Sequence, residues 1–118
     1  ASKYNHAFTN SGIAHLLQQD DCYSCYHLYI VRLTQCGIEK HKSVITSMRE
    51  QGIIAHLHYI PIHLQPYYQA LGFSEGDFPN AETYYKQAVT IPLHPTMTAD
   101  EQKIVTATLL NLVNQTRN

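Results

Sequence analysis

The segment of residues 56–68 constrains the fold more than any other, because it combines two prolines with a dense set of polar rings. It reads His-Leu-His-Tyr-Ile-Pro-Ile-His-Leu-Gln-Pro-Tyr-Tyr. Its first half alternates as a half-buried strand does, and Pro61 and Pro66 then fix the backbone on both sides of His63. So many histidine and tyrosine rings do not suit an ordinary core strand. The segment therefore predicts a strand that ends in a stiff, ligand-contacting loop.

Two longer helices are predicted from apolar residues at helical spacing. The first spans residues 39–51, and Gly52 directly after it supplies the C-terminal stop. Its buried stripe consists of His41, Val44, Ile45 and Met48. The second begins at a capping box, in which Thr98 precedes Glu101 by three residues. It continues to the C-terminus through Ile104, Val105, Thr108, Leu109, Leu112 and Val113.

Three shorter helical segments are predicted from local signals. Tyr4 and Phe8 lie four residues apart, as on one face of a helix that ends before Gly12. Residues 67–71 predict a single helical turn that a glycine closes. Pro79 suits a first helical position, and residues 80–87 continue that helix.

Three segments predict β-strands. Residues 22–34 are rich in aromatic and β-branched types, and residues 53–60 lead into the histidine-rich segment. Residues 88–93 form the third strand, which Pro92 confines to a sheet edge or to its own end. Strands alternating with helices predict an α+β fold, a small antiparallel sheet of about three strands with helices packed on one face.

Composition limits the classes of function. The 118 residues suit one domain, and only 14% are charged, against about a quarter in ordinary soluble domains. This deficit predicts that part of the surface meets another domain or subunit. The net charge of -1 gives no support for binding to nucleic acid or to an anionic membrane. No apolar run approaches the roughly 20 residues of a membrane span. From the charge and the apolar runs together, we expect neither nucleic acid nor a membrane as a partner.

The cysteines raise the question of a metal site. Cys22, Cys25 and His27, together with the histidines of residues 56–63, are ligand types that zinc accepts. Two cysteines three apart on a strand point to opposite faces, however, and no second paired set completes a site. We therefore expect no metal and expect buried apolar cysteines. No local feature marks a nucleophilic or redox cysteine, and an odd number of three fits reduced thiols in the cytoplasm.

Six motifs follow one another in order between residue 22 and the C-terminus. They are Tyr-His-Leu-Tyr-Ile-Val-Arg-Leu at 26–33, Gly-Ile at 52–53, His-Tyr-Ile-Pro-Ile-His-Leu-Gln-Pro-Tyr-Tyr at 58–68, Leu-Gly-Phe at 71–73, Phe-Pro-Asn-Ala-Glu at 78–82 and Ile-Pro-Leu-His-Pro at 91–95. Their order and gaps resemble the C-terminal part of the DegT/DnrJ/EryC1/StrS sugar aminotransferases. The versions with Leu-Gln-Pro-Tyr-Tyr and Asp-Phe-Pro are most similar to the branch that aminates a UDP-linked 4-keto-6-deoxy-N-acetyl sugar in pseudaminic acid synthesis.

The resemblance implies the small C-terminal domain of a fold-type I pyridoxal-phosphate transferase. Residues 1–21 would be the end of a helical connection from a missing large domain, and residues 22–118 the small domain. The Schiff-base lysine is expected in that large domain, because no lysine here lies in a segment like the family's lysine segment. No catalytic residue is therefore expected in this chain. Pyridoxal 5'-phosphate is expected in the full-length parent and not on this chain, which alone should be inactive.

In the intact parent, the resemblance implies transfer of an amino group from an amino acid such as glutamate to the keto-sugar. Such an enzyme would serve surface or flagellar glycan synthesis as a cytoplasmic homodimer. His63 matches the family's Pro-x-His position and is expected to hydrogen-bond the nucleotide-sugar or the cofactor. Tyr59 and Gln65 flank it as further substrate-binding candidates. His58 is a fourth candidate, although strand alternation directs it away from Tyr59.

Two other interpretations stay open at this point. The same fold can serve as a non-catalytic sugar-binding or regulatory homologue of these enzymes. A free-standing α+β binding protein, whose exposed sheet face pairs with a second copy, is the other possibility. An upstream Ser-x-x-Lys-type segment after a strand would favour the enzyme, and its loss would favour the binding module.

Overall fold

The computed structural model describes residues 1–16 and 18–115 and contains five α-helices and three β-strands within them. In chain order these are α1 (Ser2–Phe8), β1 (Ala14–His15), β2 (Tyr29–Arg32), α2 (Ile38–Glu50), α3 (Pro66–Ala70), α4 (Pro79–Tyr85), β3 (Ala88–Ile91) and α5 (Ala99–Asn114). A 3-10 turn, Ile62–Leu64, precedes α3. Among the described residues, no helix has both the length and the apolar character needed to cross a membrane.

The three strands form one antiparallel sheet in the order β1-β2-β3. Strands β2 and β3 pair so that Val31 lies opposite Val89 and Tyr29 lies opposite Ile91. Residues that lie directly opposite each other share one face of a sheet, and these four side chains are all buried. This face therefore carries the core. The predicted α+β fold, a three-stranded antiparallel sheet with helices, is confirmed.

Helices α1, α2 and α5 complete the core. Tyr4 and Phe8 of α1 are 0% and 1% exposed, and the Tyr4 ring centroid lies 4.9 Å from that of Tyr29. The two longer helices bury apolar residues at helical spacing: Val44 and Met48 of α2, and Val105, Leu109 and Val113 of α5. Burial of each such side chain contributes about 1.5–3 kcal/mol, so this layer is the main source of stability.

Burial changes the acidity of two phenols in this core. Desolvation raises the pKa of Tyr29 to about 12 and raises the pKa of Tyr4 still further. The Tyr4 hydroxyl donates to the Pro92 carbonyl oxygen at 2.8 Å, and the Tyr29 hydroxyl donates to the Asn5 side-chain oxygen. The hydrogen bonds of the two phenols tie α1 to β2 and to the end of β3.

The helix predictions agree closely with the structure. Helix α2 starts one residue before its predicted start, and Gly52, at φ 77°, follows its end. The predicted capping box is present: the Thr98 hydroxyl oxygen accepts from the Glu101 N–H at 3.2 Å, and a Glu101 carboxylate oxygen accepts from the Thr98 N–H at 2.7 Å. The helix it starts, α5, ends at Asn114, and residues 116–118 lie outside the described residues. Helix α4 begins at the predicted proline and ends two residues earlier than predicted.

The strand predictions are wrong in their extents. Of residues 22–34, only Tyr29–Arg32 form a strand, and Tyr23 is 90% exposed. Residues 53–60 contribute a single bridge, in which His56 and Thr90 exchange backbone hydrogen bonds of 3.0 and 2.8 Å. The short strand β1 was not predicted at all. β-branched and aromatic composition identifies segments able to form a strand, whereas a partner backbone decides how many of their residues pair.

The position of β3 at the end of the sheet order agrees with the prediction from Pro92, which follows the strand directly. The outer edge of β3 is covered by two groups. The backbone of His56 pairs with Thr90, and His41 Nε2 lies 2.8 Å from the Ala88 carbonyl oxygen. The chain after His56 leaves this edge and forms the region that contains the candidate site.

Candidate functional site

His63 lies in the 3-10 turn and is buried, with only 7% of its surface exposed. Its Nε2 atom lies 2.8 Å from Oε1 of Glu82, which is buried to a similar degree in the first turn of α4. The ring centroid of Phe78 is 4.8 Å from that of His63. The histidine predicted as a ligand contact is therefore held by a carboxylate and packs against an aromatic ring.

The Glu82 carboxylate also organises the loop before α4. Its Oε1 accepts a second hydrogen bond, from the Gly76 backbone N–H at 2.8 Å. The hydrogen bonds from His63 and Gly76 hold the pKa of Glu82 below its ordinary value of 4.5, against the opposing effect of burial. The group is therefore a carboxylate at neutral pH. It can only accept hydrogen bonds, so the His63 Nε2 must be the donor.

A cavity of about 350 Å³ opens beside His63. Its walls are almost entirely apolar and consist of Pro61, Ile62, His63, Tyr68, Phe73, Phe78 and Ala81. Among these residues the imidazole and the Tyr68 hydroxyl are the polar side-chain groups. A ligand that entered this cavity would meet flat aromatic surfaces and few hydrogen-bonding groups, an arrangement that fixes orientation in small-molecule sites.

The other three predicted site residues lie outside these walls. Tyr59 is 72% exposed. Gln65 is half-buried and precedes α3, where its carbonyl oxygen accepts from the backbone N–H groups of Tyr68 and Gln69. The structure thus places His63 on the cavity and brings neither Tyr59 nor Gln65 into it.

His58 is half-buried, and its Nδ1 lies 2.7 Å from the hydroxyl oxygen of Thr90 on β3. The prediction that His58 points away from Tyr59 by strand alternation is wrong. The two rings make an edge contact with centroids 4.6 Å apart, and the peptide bond between the two residues is cis. Residue 58 lies beyond the single bridge at His56, so the alternation of a paired strand does not apply to it.

Sequence reasoning missed Glu82 as part of the site. It treated this glutamate as one residue of a family motif and of a short helix. A carboxylate in a first turn is usually a solvated dipole partner, so its type and position give no sign of burial. The one available signal was the low charge of the surrounding segment: no lysine or arginine lies between Arg49 and Lys86. A buried carboxylate in such a segment must take its partners from histidines and backbone N–H groups.

Residues 59–78, which we name the aromatic arm, expose an unusual amount of apolar surface. Exposed large side chains of the arm are Tyr59, Ile60, Ile62, Tyr67, Tyr68, Leu71, Phe73 and Phe78. Several rings touch one another, as the Tyr67 and Tyr68 centroids do at 5.3 Å. Contiguous apolar surface of this kind marks an interaction surface in soluble proteins. It agrees with the low charge noted in the sequence.

The described residues contain no group of three histidine, cysteine, aspartate or glutamate side chains able to hold a metal ion. All three cysteines are free. The expectation that they would be buried is wrong for Cys22 and Cys25, which are exposed, and Cys36 is half-buried. The first two lie in the segment that forms no strand, so no partner strand covers them.

The residues around His63 do not fit pyridoxal phosphate. This cofactor needs a lysine amine and a phosphate-binding group in one pocket, and the lining of the His63 cavity contains no lysine or arginine. Three lysines of the described chain instead form exposed ion pairs: Lys42 with Glu39, Lys86 with Glu75 and Lys103 with Asp100. What the site can do is hold one imidazole in a fixed orientation beside an apolar surface.

Comparison with known proteins gives consistent relatives. The profile of the DegT/DnrJ/EryC1/StrS aminotransferase family matches residues 1–110. The spore coat polysaccharide biosynthesis protein SpsC of Bacillus subtilis is 34% identical over 105 residues, which make up 86% of this chain and 27% of SpsC.

Solved structures of other proteins share the fold. Spr1654 of Streptococcus pneumoniae, in its PLP form, has a TM-score of 0.91 at 27% identity, over 97% of this chain and 29% of that chain. PseC of Helicobacter pylori, an aminotransferase involved in pseudoaminic acid biosynthesis, has a TM-score of 0.85 at 26% identity, over 97% of this chain and 31% of that chain.

The extent of these matches is informative. The chain spans 27% of SpsC and 31% of the PseC chain, so it corresponds to less than a third of either relative. The family match, by contrast, covers almost all of this chain, and it agrees with the resemblance found in the six motifs. The chain belongs to the DegT/DnrJ/EryC1/StrS aminotransferase family.

Proposed function

We propose that this chain is the small C-terminal domain of a pyridoxal-phosphate-dependent sugar aminotransferase. Residues 1–21 would end the connection from a large domain, and residues 22–118 would form the small domain. The observation that carries the proposal is the family match over residues 1–110. Fold similarity at a TM-score of 0.91 to a protein solved in its PLP form supports it. Helix α1 packs Tyr4 and Phe8 into the common core, so the connection would be rigidly joined to the domain.

The substrate that we propose is a UDP-linked 4-keto-6-deoxy-N-acetyl hexose, with glutamate as the amino donor. Similarity to PseC, an aminotransferase involved in pseudoaminic acid biosynthesis, supports this branch. The product would then serve surface or flagellar glycan synthesis. We also propose that the parent acts as a cytoplasmic homodimer. The three free cysteines suit a reducing compartment, and the exposed aromatic arm supplies apolar surface for a subunit or domain contact.

The cofactor would be held by the large domain, where it supplies the electron sink for amino-group transfer. The residues of this chain would bind and orient the sugar. His63 would hydrogen-bond the nucleotide-sugar beside its cavity, and the aromatic arm would exclude water from the closed site. Tyr59, Gln65 and His58 would contact the substrate from outside the walls of this cavity. The contact of His58 Nδ1 with the Thr90 hydroxyl would also support the loop.

An isotope-transfer assay tests the activity. The complete polypeptide that carries this chain is incubated with the keto-sugar nucleotide and ¹⁵N-glutamate, and the sugar is analysed by mass spectrometry. We expect ¹⁵N in the sugar, and none in a matched UDP-sugar without a ketone. A folded protein that binds nucleotide-sugar and transfers no nitrogen to any keto-sugar would contradict the proposal and favour a non-catalytic sugar-binding homologue.

Substitution of His63 tests its role in that enzyme. We expect His63→Ala to lower kcat/KM for the sugar on the order of tenfold, because one hydrogen bond in a largely apolar site is lost. Cofactor binding, followed by its absorbance, should remain. The matched control is His6→Ala, which removes an exposed histidine of α1. Unchanged turnover of His63→Ala would remove this residue from the substrate site.

A further inference from the structure

The orientation of the His63 ring is set by residues that sequence reasoning did not connect with it. Glu82 is carried on α4, which starts at Pro79, and the Glu82 backbone N–H donates to the Phe78 carbonyl oxygen at 3.1 Å. The Gly76 N–H holds the same carboxylate oxygen that meets His63. The carboxylate therefore has one orientation, fixed by its helix and by the loop before it.

A fixed acceptor determines which nitrogen of the imidazole carries the proton. An ionised carboxylate has no proton to give, so the 2.8 Å contact requires a proton on Nε2 of His63. In the neutral ring the other nitrogen, Nδ1, then has a free lone pair and acts as an acceptor. Hydrogen bonding to the second nitrogen is the usual means by which proteins select a histidine tautomer.

The Nδ1 atom is available to a ligand. The hydrogen bonds of the described residues give Nε2 its partner in Glu82 and give Nδ1 none. Among the described residues, the side-chain nitrogen that is both fully buried and without a hydrogen-bond partner is Nδ1 of His41. Nδ1 of His63 also lacks a partner, so it must be accessible to solvent. His63 also lines the 350 Å³ cavity, whose other walls are mainly apolar.

We infer that Glu82 is a positioning residue that holds His63 as the Nε2–H tautomer, so that Nδ1 accepts a hydrogen bond from a hydroxyl or amide N–H of the sugar. This inference rests on the proposed function, since it assigns His63 to the sugar site. The tautomer also limits the ligand groups that can hydrogen-bond to His63. A lone pair on Nδ1 bonds a donor such as a sugar hydroxyl or an N-acetyl N–H, and it does not bond a phosphate oxygen, which is itself an acceptor.

Two single variants separate the roles of the two ring nitrogens. In His63→Gln the amide nitrogen occupies the position of Nε2 and keeps a donor toward Glu82, whereas nothing replaces Nδ1. In Glu82→Gln the amide can donate as well as accept, so it no longer selects the tautomer. In the complete polypeptide we expect each variant to fold, and to raise KM for the sugar about tenfold with KM for glutamate unchanged. His6→Gln is the matched control.

The double variant tests whether Glu82 acts through His63. We expect His63→Gln with Glu82→Gln to be no worse than His63→Gln alone, because the tautomer no longer matters once the imidazole is gone. Independent losses that multiply in the double variant would overturn the inference. So would a His63→Gln enzyme with the wild-type KM for the sugar.

A measurement without turnover separates this inference from the proposed function. Protein labelled with ¹⁵N-histidine, with His63 assigned by its loss in His63→Gln, reports which ring nitrogen carries the proton. We expect a protonated Nε2 and an unprotonated Nδ1 in the wild type, and a mixture of tautomers in Glu82→Gln. A proton on Nδ1 of the wild-type ring at the pH of the activity assay, in the other neutral tautomer or in a doubly protonated imidazolium, would overturn the inference. An enzyme that transfers no amino group but shows the expected tautomer would overturn only the proposed function.

Discussion

Two regions of the molecule use aromatic side chains in opposite ways. One is the core layer, formed by α1, α2, α5 and the sheet, and the other is the aromatic arm of residues 59–78. In the core, Tyr4 is 0% exposed and its hydroxyl donates to the Pro92 carbonyl oxygen. In the arm, Tyr67 is 70% exposed, and its ring meets that of Tyr68 edge to face. Aromatic residues thus build the stability of one region and the outer surface of the other.

This difference shows that separate regions of a small chain can supply folding stability and a surface for recognition. The core closes on itself through paired strands, buried helix stripes and donated phenol hydroxyls, and among the described residues Nδ1 of His41 is the buried side-chain atom left without a partner. The arm is anchored at a few points, above all by the contact between His63 and Glu82. Apolar side chains that contribute little to folding remain free to pack against another domain, a subunit or a substrate.

The largest expected effect contrasts two phenylalanines. Phe8→Ala, at a residue that is 1% exposed, should lower the free energy of unfolding by about 3–5 kcal/mol, because it leaves a cavity in the core. Phe73→Ala in the arm, at a residue that is 40% exposed, should cost less than about 1 kcal/mol. Urea unfolding of both variants measures the difference. Equal losses would show that the arm belongs to the folding core.

A smaller effect contrasts two tyrosines. Tyr4→Phe removes the hydroxyl that donates to the Pro92 carbonyl oxygen at 2.8 Å and leaves that oxygen without this donor. We expect a loss of about 1–2 kcal/mol in the free energy of unfolding. Tyr67→Phe, the matched change in the arm, should alter stability by less than about 0.5 kcal/mol. The distinction between the regions would fail if Tyr4→Phe unfolded at the wild-type urea concentration.

The smallest expected change in the free energy of unfolding at neutral pH is that of Glu82→Gln. The amide keeps the shape of the side chain and keeps an acceptor for the Gly76 N–H. The native structure lowers the pKa of Glu82 below 4.5, so its carboxylate stabilises the folded state above that pH. The contribution is lost as pH falls through the lowered pKa. Wild type should therefore lose its advantage over Glu82→Gln as the pH falls from above 4.5 through the lowered pKa.

Thermal unfolding across this pH range measures that advantage. The matched control is Glu75→Gln, which removes an exposed carboxylate of the arm that pairs with Lys86. A difference between wild type and Glu82→Gln that is independent of pH would contradict the assignment of a stabilising, ionised carboxylate.

The outcome for individual elements shows which features a sequence can predict. Helix α5 was predicted from Thr98 and Glu101, because a capping box is a contact between residues three apart. The segment of residues 22–34 had strand composition throughout, yet only Tyr29–Arg32 pair. His63 was predicted as a site residue from its place between two prolines in a family motif. Its partner Glu82, 19 residues later, was not predicted.

By itself, the sequence determined the family, the α+β class and the helices, because helical hydrogen bonds and caps join residues a few positions apart and leave a periodic record along the chain. Only the tertiary structure decided the lengths of the strands, the closure of β3 by His56 and His41, and the burial of Glu82 against His63. Each of these depends on contacts between residues far apart in the chain. Their free energy comes from desolvation and backbone pairing, which no local pattern of residue types records.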